Sequence, residues 1–316
     1  MTDGAMIRFD APVARGGYAW WYIDALSDDG LHALTLIAFV GSVFSPYYAR
    51  ANRRTPGGAD PEDYVAVNLA LYGPRRTLWA MTERRRRSLI RDPATLGIGP
   101  SRLDWDGNLL AIRINELTTP LPQPLRGMIT VHPKAVETAV YPLDAAGAHR
   151  WQPVAPCARV SVAFEKPALS WQGDAYFDRN EGDAPIGSAF STWNWSRTPN
   201  RRGARVFYHA TRRDGGTTDL SLQFSAAGGV APIVAPPPSP LPITWWRIAR
   251  ETRSDAGFDA KLIRNFEDTP FYARARIAAS IDGETVDGVH ETLDLDRFAQ
   301  PVVQAMLPFR MPRRVV

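Results

Sequence analysis

Two short segments hold residue types that could do chemistry together, His149-Arg150-Trp151 and Tyr176-Phe177-Asp178-Arg179-Asn180-Glu181-Gly182-Asp183-Ala184-Pro185. On a β-strand, residues i and i+2 share a face. His149 then points with Trp151, and Tyr176 with Asp178. An acid set among aromatic rings suits the protonation of an alkene. Ring faces stabilise the positive charge that follows and offer no nucleophile to trap it. A carboxyl in an apolar cavity also keeps its proton more readily, because burial disfavours the charged form. The residues alone leave a plainer reading open. Tyr-x-Asp followed by Asn, Gly and Pro is also a strand running into a turn, and a single histidine is more often structural than catalytic. Asp24, after Trp20-Trp21-Tyr22, is either a second acid or a turn residue paired with an arginine.

Other chemistries find little support. Gly97-Ile98-Gly99 lacks the third glycine of a dinucleotide loop, and there is no Walker loop, His-x-x-x-His, Cys-x-x-Cys or nucleophile elbow. The histidines at 32, 132, 149, 209 and 290 lie far apart. Cys157 is the single cysteine, so neither a disulfide framework nor a thiolate zinc site is expected, and a reducing compartment fits. The expectation is no metal and no cofactor, which leaves an acid–base enzyme or a binding protein.

The elements that must position these residues read as strands. The 316 residues include 27 Pro and 24 Gly scattered among short apolar runs, the pattern of an all-β chain with many turns. Period-two alternation places Val65, Val67, Leu69 and Leu71 on one face of a strand, and Leu110, Ile112 and Ile114 on another. Val160, Val162 and Phe164 repeat the pattern, as do Leu220, Leu222 and Phe224. Asp-Gly pairs at 29–30, 106–107, 214–215 and 282–283 read as turns, several of them in hairpins. Helices are expected to be few and short, such as Arg297–Met306.

Trp20-Trp21-Tyr22-Ile23-Asp24 and Trp193-Asn194-Trp195-Ser196-Arg197 each precede an alternating strand. This weak repeat predicts two related β-barrel-like halves, residues 1–165 and 166–316. Val230–Leu241 is Pro-rich and uncharged, so it reads as an extended surface loop or as an apolar lip.

Residues Met1 to Arg15 are polar, without the apolar stretch of an export signal. Ala33 to Phe44, the longest apolar run, falls short of the roughly 20 residues that span a bilayer. Membrane association is therefore expected to be peripheral. The net charge is +4, with arginines clustered at 84–87, 212–213 and 310–314. Such clusters form either a solvated face or a contact for anionic headgroups. Nucleic-acid binding is not expected, because no recognition motif accompanies the charge.

From about Gly17 to Asp296 the chain resembles the acyclic carotenoid 1,2-hydratases, also called hydroxyneurosporene synthases, of phototrophic bacteria. The matching segments include Gly17–Asp24, Gly41–Tyr48, Asn68–Gly73, Met81–Arg84 and Leu103–Gly107. His149–Trp151, Tyr176–Pro185 and Trp193–Arg197 continue the series. Their joint order is specific where no single segment is. Ile186 departs from the pattern, standing where Leu is expected after Pro185.

The resemblance implies two lipocalin-like β domains and hydration of the terminal double bond of neurosporene or lycopene, without a cofactor. It places the catalytic roles on Asp178, Tyr176, His149 and Trp151. Asp178 is expected to protonate C2, aromatic faces to flank the cation at C1, and a water near His149 to attack it. Trp21, Tyr22, Asp24, Trp193 and Trp195 are expected to bind the substrate. The partners implied are an acyclic carotenoid, water and membrane lipid, at the cytoplasmic side of the photosynthetic inner membrane. A polyene carrier without catalysis, or an isomerase or cyclase on the same fold, stands as the alternative.

Overall fold

Each Asp-Gly pair lies between two consecutive antiparallel strands in the computed structural model, which describes residues 7–314. The first six residues of the polar N-terminus, and with them part of the leader reading, lie outside the described residues. At Asp282-Gly283 both residues have positive φ, 55° and 73°, as a two-residue hairpin turn of the type favoured by strand twist requires.

The protein is all-β with a few short helices. Residues up to Ile186, with those from Ala305 onward, form one compact unit; Gly187–Gln304 form the other. The boundary expected near residue 165 falls instead on the tight turn of a long hairpin. Its two arms, His149–Lys166 and Ala168–Gly182, pair along their length and cannot be divided between units.

The first unit is a meander of β1 (Tyr18–Ser27), β2 (Ala33–Val40), β3 (Val65–Tyr72), β4 (Thr77–Arg84), β5 (Leu89–Arg91), β6 (Thr95–Ile98), β7 (Ser101–Trp105), β8 (Leu110–Leu117), β9 (Pro124–Pro133), β10 (Tyr141–Pro142), β11 (His149–Lys166) and β12 (Ala168–Gly182). The sheet order is β4-β3-β2-β1-β12-β11-β9-β8-β7-β6-β5, with β10 against β11. The sheet curls until its β4 edge meets the β8 region. Thr119 N donates to Trp79 O at 3.0 Å, and Arg84 pairs with Glu116 at 2.7 Å, both buried. The C-terminal segment covers the β4 edge, where Arg314 N donates to Glu83 O at 2.9 Å. Arg313 pairs with the Glu83 carboxylate at 2.7 Å and lies 4.3 Å over the Tyr64 ring. Backbone groups of the edge are thereby engaged at Trp79 and Glu83.

The barrel-like interior takes alternate residues from the longer strands. Val65, Val67, Leu69 and Leu71 meet Leu110, Ile112 and Ile114, and Val160, Val162 and Phe164 complete the same core. Ile7 and Phe9 join this core, and Arg91 holds their segment by donating to Phe9 O and Ala11 O.

The second unit has β13 (Phe190–Asn200), β14 (Gly203–Arg212), β15 (Thr217–Ser225), β16 (Val230–Pro232), β17 (Pro238–Leu241), β18 (Arg250–Arg253), β19 (Lys261–Asp268), β20 (Tyr272–Ile281) and β21 (Glu284–Asp294). Its sheet runs β16-β15-β14-β13-β21-β20-β19, and β17 and β18 form a separate hairpin. In both units the first strand pairs with the second and with the last long strand. The weak sequence repeat is thus a repeat of topology. The helix expected at Arg297–Met306 is two short ones, Leu295–Phe298 and Pro301–Arg310.

Candidate active site

β1, β12 and β11 lie side by side, and both faces of β1 are buried along nearly its whole length. Tyr18, Trp20, Tyr22 and Asp24 of β1 stand opposite Gly182, Asn180, Asp178 and Tyr176 of β12. On the far side of β12, His149 and Trp151 stand opposite Gly182 and Asn180. Paired residues of antiparallel strands point the same way, so these side chains share one face. The other face, with Trp21, Ile23, Ala175 and Phe177, belongs to the barrel core.

Asp178 sits at the centre, 3% exposed. Its Oδ2 accepts from Trp151 Nε1 at 2.8 Å and from the Tyr176 hydroxyl at 2.8 Å. Its Oδ1 accepts from Asn180 Nδ2 at 3.1 Å. Burial pushes the Tyr176 phenol well above its ordinary range, and the Asp178 carboxylate adds to the shift. The phenol therefore stays neutral and available as a donor. Tyr22 sets its ring edge-on to Tyr176, centroids 6.1 Å apart, and Tyr141 packs on Trp151 at 5.4 Å.

β-Bulges in β11 between Gln152 and Ala155, and between Ala155 and Ala158, give the strand two facings. Trp151 turns to Asp178, while Ala155, Ala158 and Val160 turn to the barrel core.

His149 shares the face but not the carboxyl. Its partner Gly182 lies four residues beyond Asp178, about 13 Å along the strand at about 3.3 Å per residue. His149 Nδ1 shares a 2.9 Å hydrogen bond with the Tyr18 hydroxyl. Asp144 Oδ2 lies 3.9 Å from Nε2. Burial lowers the His149 pKa, with Asp144 acting in the opposite direction. Gly182 makes the Tyr18 contact possible, because a Cβ there would lie 2.5 Å from the Tyr18 ring and 2.6 Å from His149 Nδ1.

Of the residues expected to bind substrate, Tyr22 and Asp24 stand on the Asp178 face. Trp21 does not, and this corrects the sequence reading. The period of two turns it into the barrel, against Phe9 at 5.1 Å and under the Arg179 guanidinium at 5.8 Å. Trp20 takes the place on the site face and stacks on Tyr18 at 4.8 Å. Trp193 and Trp195 belong to the second unit. They share a face of β13 with Arg197, and Trp193 packs on Tyr208 at 4.8 Å. Asn180 and Tyr18 were missed. The i, i+2, i+4 spacing of Tyr176, Asp178 and Asn180 was the signal for the first. Among the described residues no group of three or more His, Cys, Asp or Glu is placed to hold a metal ion.

A curled β-meander followed by a second sheet, with a buried carboxyl group held by an indole and a phenol, defines a lipocalin-like β protein with a candidate acid site. A described AttH protein from Nitrosomonas europaea has a solved structure similar to this one, with TM-score 0.58 at 13% identity, covering 87% of this chain and 92% of that one. That likeness concerns the fold. The chain belongs to the carotenoid hydratase CrtC family, whose model matches residues 36–316. It is 52% identical to the acyclic carotenoid 1,2-hydratase of Thiocapsa roseopersicina, over 97% of this chain and 75% of that protein. It is 48% identical to the enzyme of the same name from Rubrivivax gelatinosus, over 97% and 76%. The protein is an enzyme of carotenoid hydration.

Proposed function

We propose that this enzyme adds water across the C1–C2 double bond of an acyclic carotenoid, such as neurosporene or lycopene, to give the 1-hydroxy-1,2-dihydro carotenoid. The observation that carries the reading is the buried Asp178 carboxyl, whose Oδ2 accepts from both Trp151 and Tyr176. With Oδ2 engaged twice, the proton to be transferred rides on Oδ1. Protonation at C2 leaves a tertiary cation at C1. The faces of Trp151, Tyr176 and Tyr22 stabilise that charge. Water then bonds to C1 and loses a proton. Each step uses only the carotenoid, water and side chains of this chain. General acid help of this kind accounts for about 10²–10⁴-fold, and the prepared cation site supplies the rest.

A carotenoid lies in a bilayer, so the enzyme has to draw its substrate from one. We place that contact, peripheral and from the cytoplasmic side of the inner photosynthetic membrane, on the second unit. Among the described residues no helix is long and apolar enough to cross a membrane. Val234, in the Pro-rich segment Val230–Leu241, is 95% exposed, and Trp245, just beyond it, is 89% exposed.

The test is purified protein with lycopene in detergent and no additive. Pigment one water heavier, hydroxylated at C1, is the expected product. Bound but unchanged lycopene would leave a carrier, and a rearranged isomer of unchanged mass would leave an isomerase or cyclase.

A further inference from the structure

Asn180 is buried, 3% exposed, between Trp20 of β1 and Trp151 of β11. Its Nδ2 donates to Asp178 Oδ1 at 3.1 Å. Its own carbonyl oxygen is enclosed and has no hydrogen-bond partner among the described residues. Leaving a buried acceptor unsatisfied costs stability, so its place beside the acid calls for a reason. Leucine would fill nearly the same volume without that cost. What the amide adds is an acceptor next to the acid.

The chemistry asks for such an acceptor. C1 and C2 are adjacent atoms, so the acid and the attacking water have to converge within a few ångströms. Asn180 and Asp178 are neighbours on one strand face, about 6.6 Å apart along the strand. His149 lies about twice as far from Asp178 along the strand, opposite Gly182. Its Nδ1 is engaged by Tyr18.

Resting on the hydration reading, we infer that Asn180 holds the nucleophilic water, its Oδ1 accepting one water proton and turning the oxygen lone pair toward C1. The Oδ1–H bond of Asp178 breaks as the π pair forms the C2–H bond, which leaves a positive C1 and an Asp178 carboxylate. The water lone pair forms the C1–O bond. The oxonium proton passes to the carboxylate and restores the acid. Asn180 gains and loses nothing; it fixes the water's place.

The test is Asn180→Leu assayed in D2O with lycopene in detergent, beside wild type and Asp178→Asn. Without a held water, the cation persists and returns to alkene by losing a proton. The variant should form alcohol at least about 10-fold more slowly, while the recovered lycopene gains deuterium at C2. Asp178→Asn should give neither alcohol nor label. Alcohol within about twofold of wild type would overturn the inference. So would joint loss of alcohol and label in a variant that melts like wild type, since Asn180 would then serve only the acid. If leucine abolishes the cooperative melt, Asn180→Ala is read by the same ratio. A wild type that leaves lycopene unhydrated and unlabelled fails the hydration reading instead, so the two failures are distinguishable.

Discussion

The indole nitrogen of Trp151 lies 2.8 Å from Asp178 Oδ2, across a strand pair and 27 residues apart in sequence. The Tyr176 hydroxyl, two residues from Asp178 on its own strand, donates to the same oxygen at the same distance. Two donors on one oxygen fix the carboxyl plane, and in the proposed reaction the other oxygen, which accepts from Asn180, carries the proton. In that reaction Trp151 and Tyr176 act through one atom as well as by presenting ring faces.

Shared action predicts non-additive effects. Trp151→Phe and Tyr176→Phe each remove one donor and keep an aromatic ring. Each should slow hydration by about 10-fold or more. The double variant should lose less than the product of the two, with a coupling of about 0.5–3 kcal/mol in the rate. Strict additivity in kcat/KM would separate the two roles.

Asp178→Asn keeps the shape and removes the acid. Its amide oxygen can still accept from Trp151 and Tyr176, and Asn180 can turn its amide to receive the new NH2 group. Hydration should fall to background while the melting temperature moves by only a few degrees, equivalent to about 1 kcal/mol. Turnover like that of wild type would remove Asp178 from the mechanism.

The alternation that lets a strand be read also assigns its faces, and much of the fold was legible for that reason. Val65–Leu71 and Leu110–Ile114 face the barrel core as their pattern predicts. The same rule, applied strictly, separates Trp21 from the face that Tyr22 and Asp24 share. The facing of Trp151 was accessible too, since alternation from Val160 and Val162 puts it on the face away from the core. Hidden were the two bulges, whose shifts cancel and which put Ala155, of the same parity as Trp151, into the core. The boundary near 165 failed because a hairpin turn and a domain linker look alike in composition. The empty acceptor on Asn180 depends on neighbours brought from three strands.

Gly182 separates crowding from chemistry. A methyl there collides with Tyr18 and His149, so Gly182→Ala should lose about 1–3 kcal/mol of stability. Tyr18→Phe keeps the ring, deletes the hydroxyl bonded to His149 without adding bulk, and should cost about 1–3 kcal/mol through the nitrogen it leaves unpaired. If the Tyr18–His149 pair orders the site wall, both variants lower kcat, measured below their melting temperatures. Unchanged kcat in Tyr18→Phe would confine that pair to packing.

The turn Thr244–Ile248 presents Trp245 rigidly. Arg247 N donates to Thr244 O at 2.8 Å, and Ile248 N to Thr244 Oγ1 at 3.0 Å. Asp268 accepts from Trp245 N at 2.7 Å, and Arg297 donates to Trp246 O at 2.7 Å. An indole exposed on a braced turn suits the headgroup region of a bilayer. Trp245→Ser should reduce binding to phosphatidylglycerol/phosphatidylcholine vesicles by about 10-fold in flotation. Hydration in detergent should be unchanged. Equal flotation of the two proteins would move the contact elsewhere.

The core of the second unit carries a pH liability. His290 is fully enclosed, sharing hydrogen bonds with Ser196 at 2.9 Å and Thr292 at 2.8 Å. Burial lowers its pKa to about 3, and the charge of Arg250 adds to the effect. In the unfolded chain the ring titrates near the ordinary value of about 6.5. Between those two values the unfolded state binds the extra proton and the folded state does not. Stability is therefore lost as the pH falls through this window, by up to about 1.4 kcal/mol per pH unit from this one group. His290→Gln removes the titration and keeps an amide for Ser196 and Thr292. Its urea midpoint should fall less than that of wild type between about pH 7 and pH 5. Parallel slopes would assign the acid sensitivity to other groups.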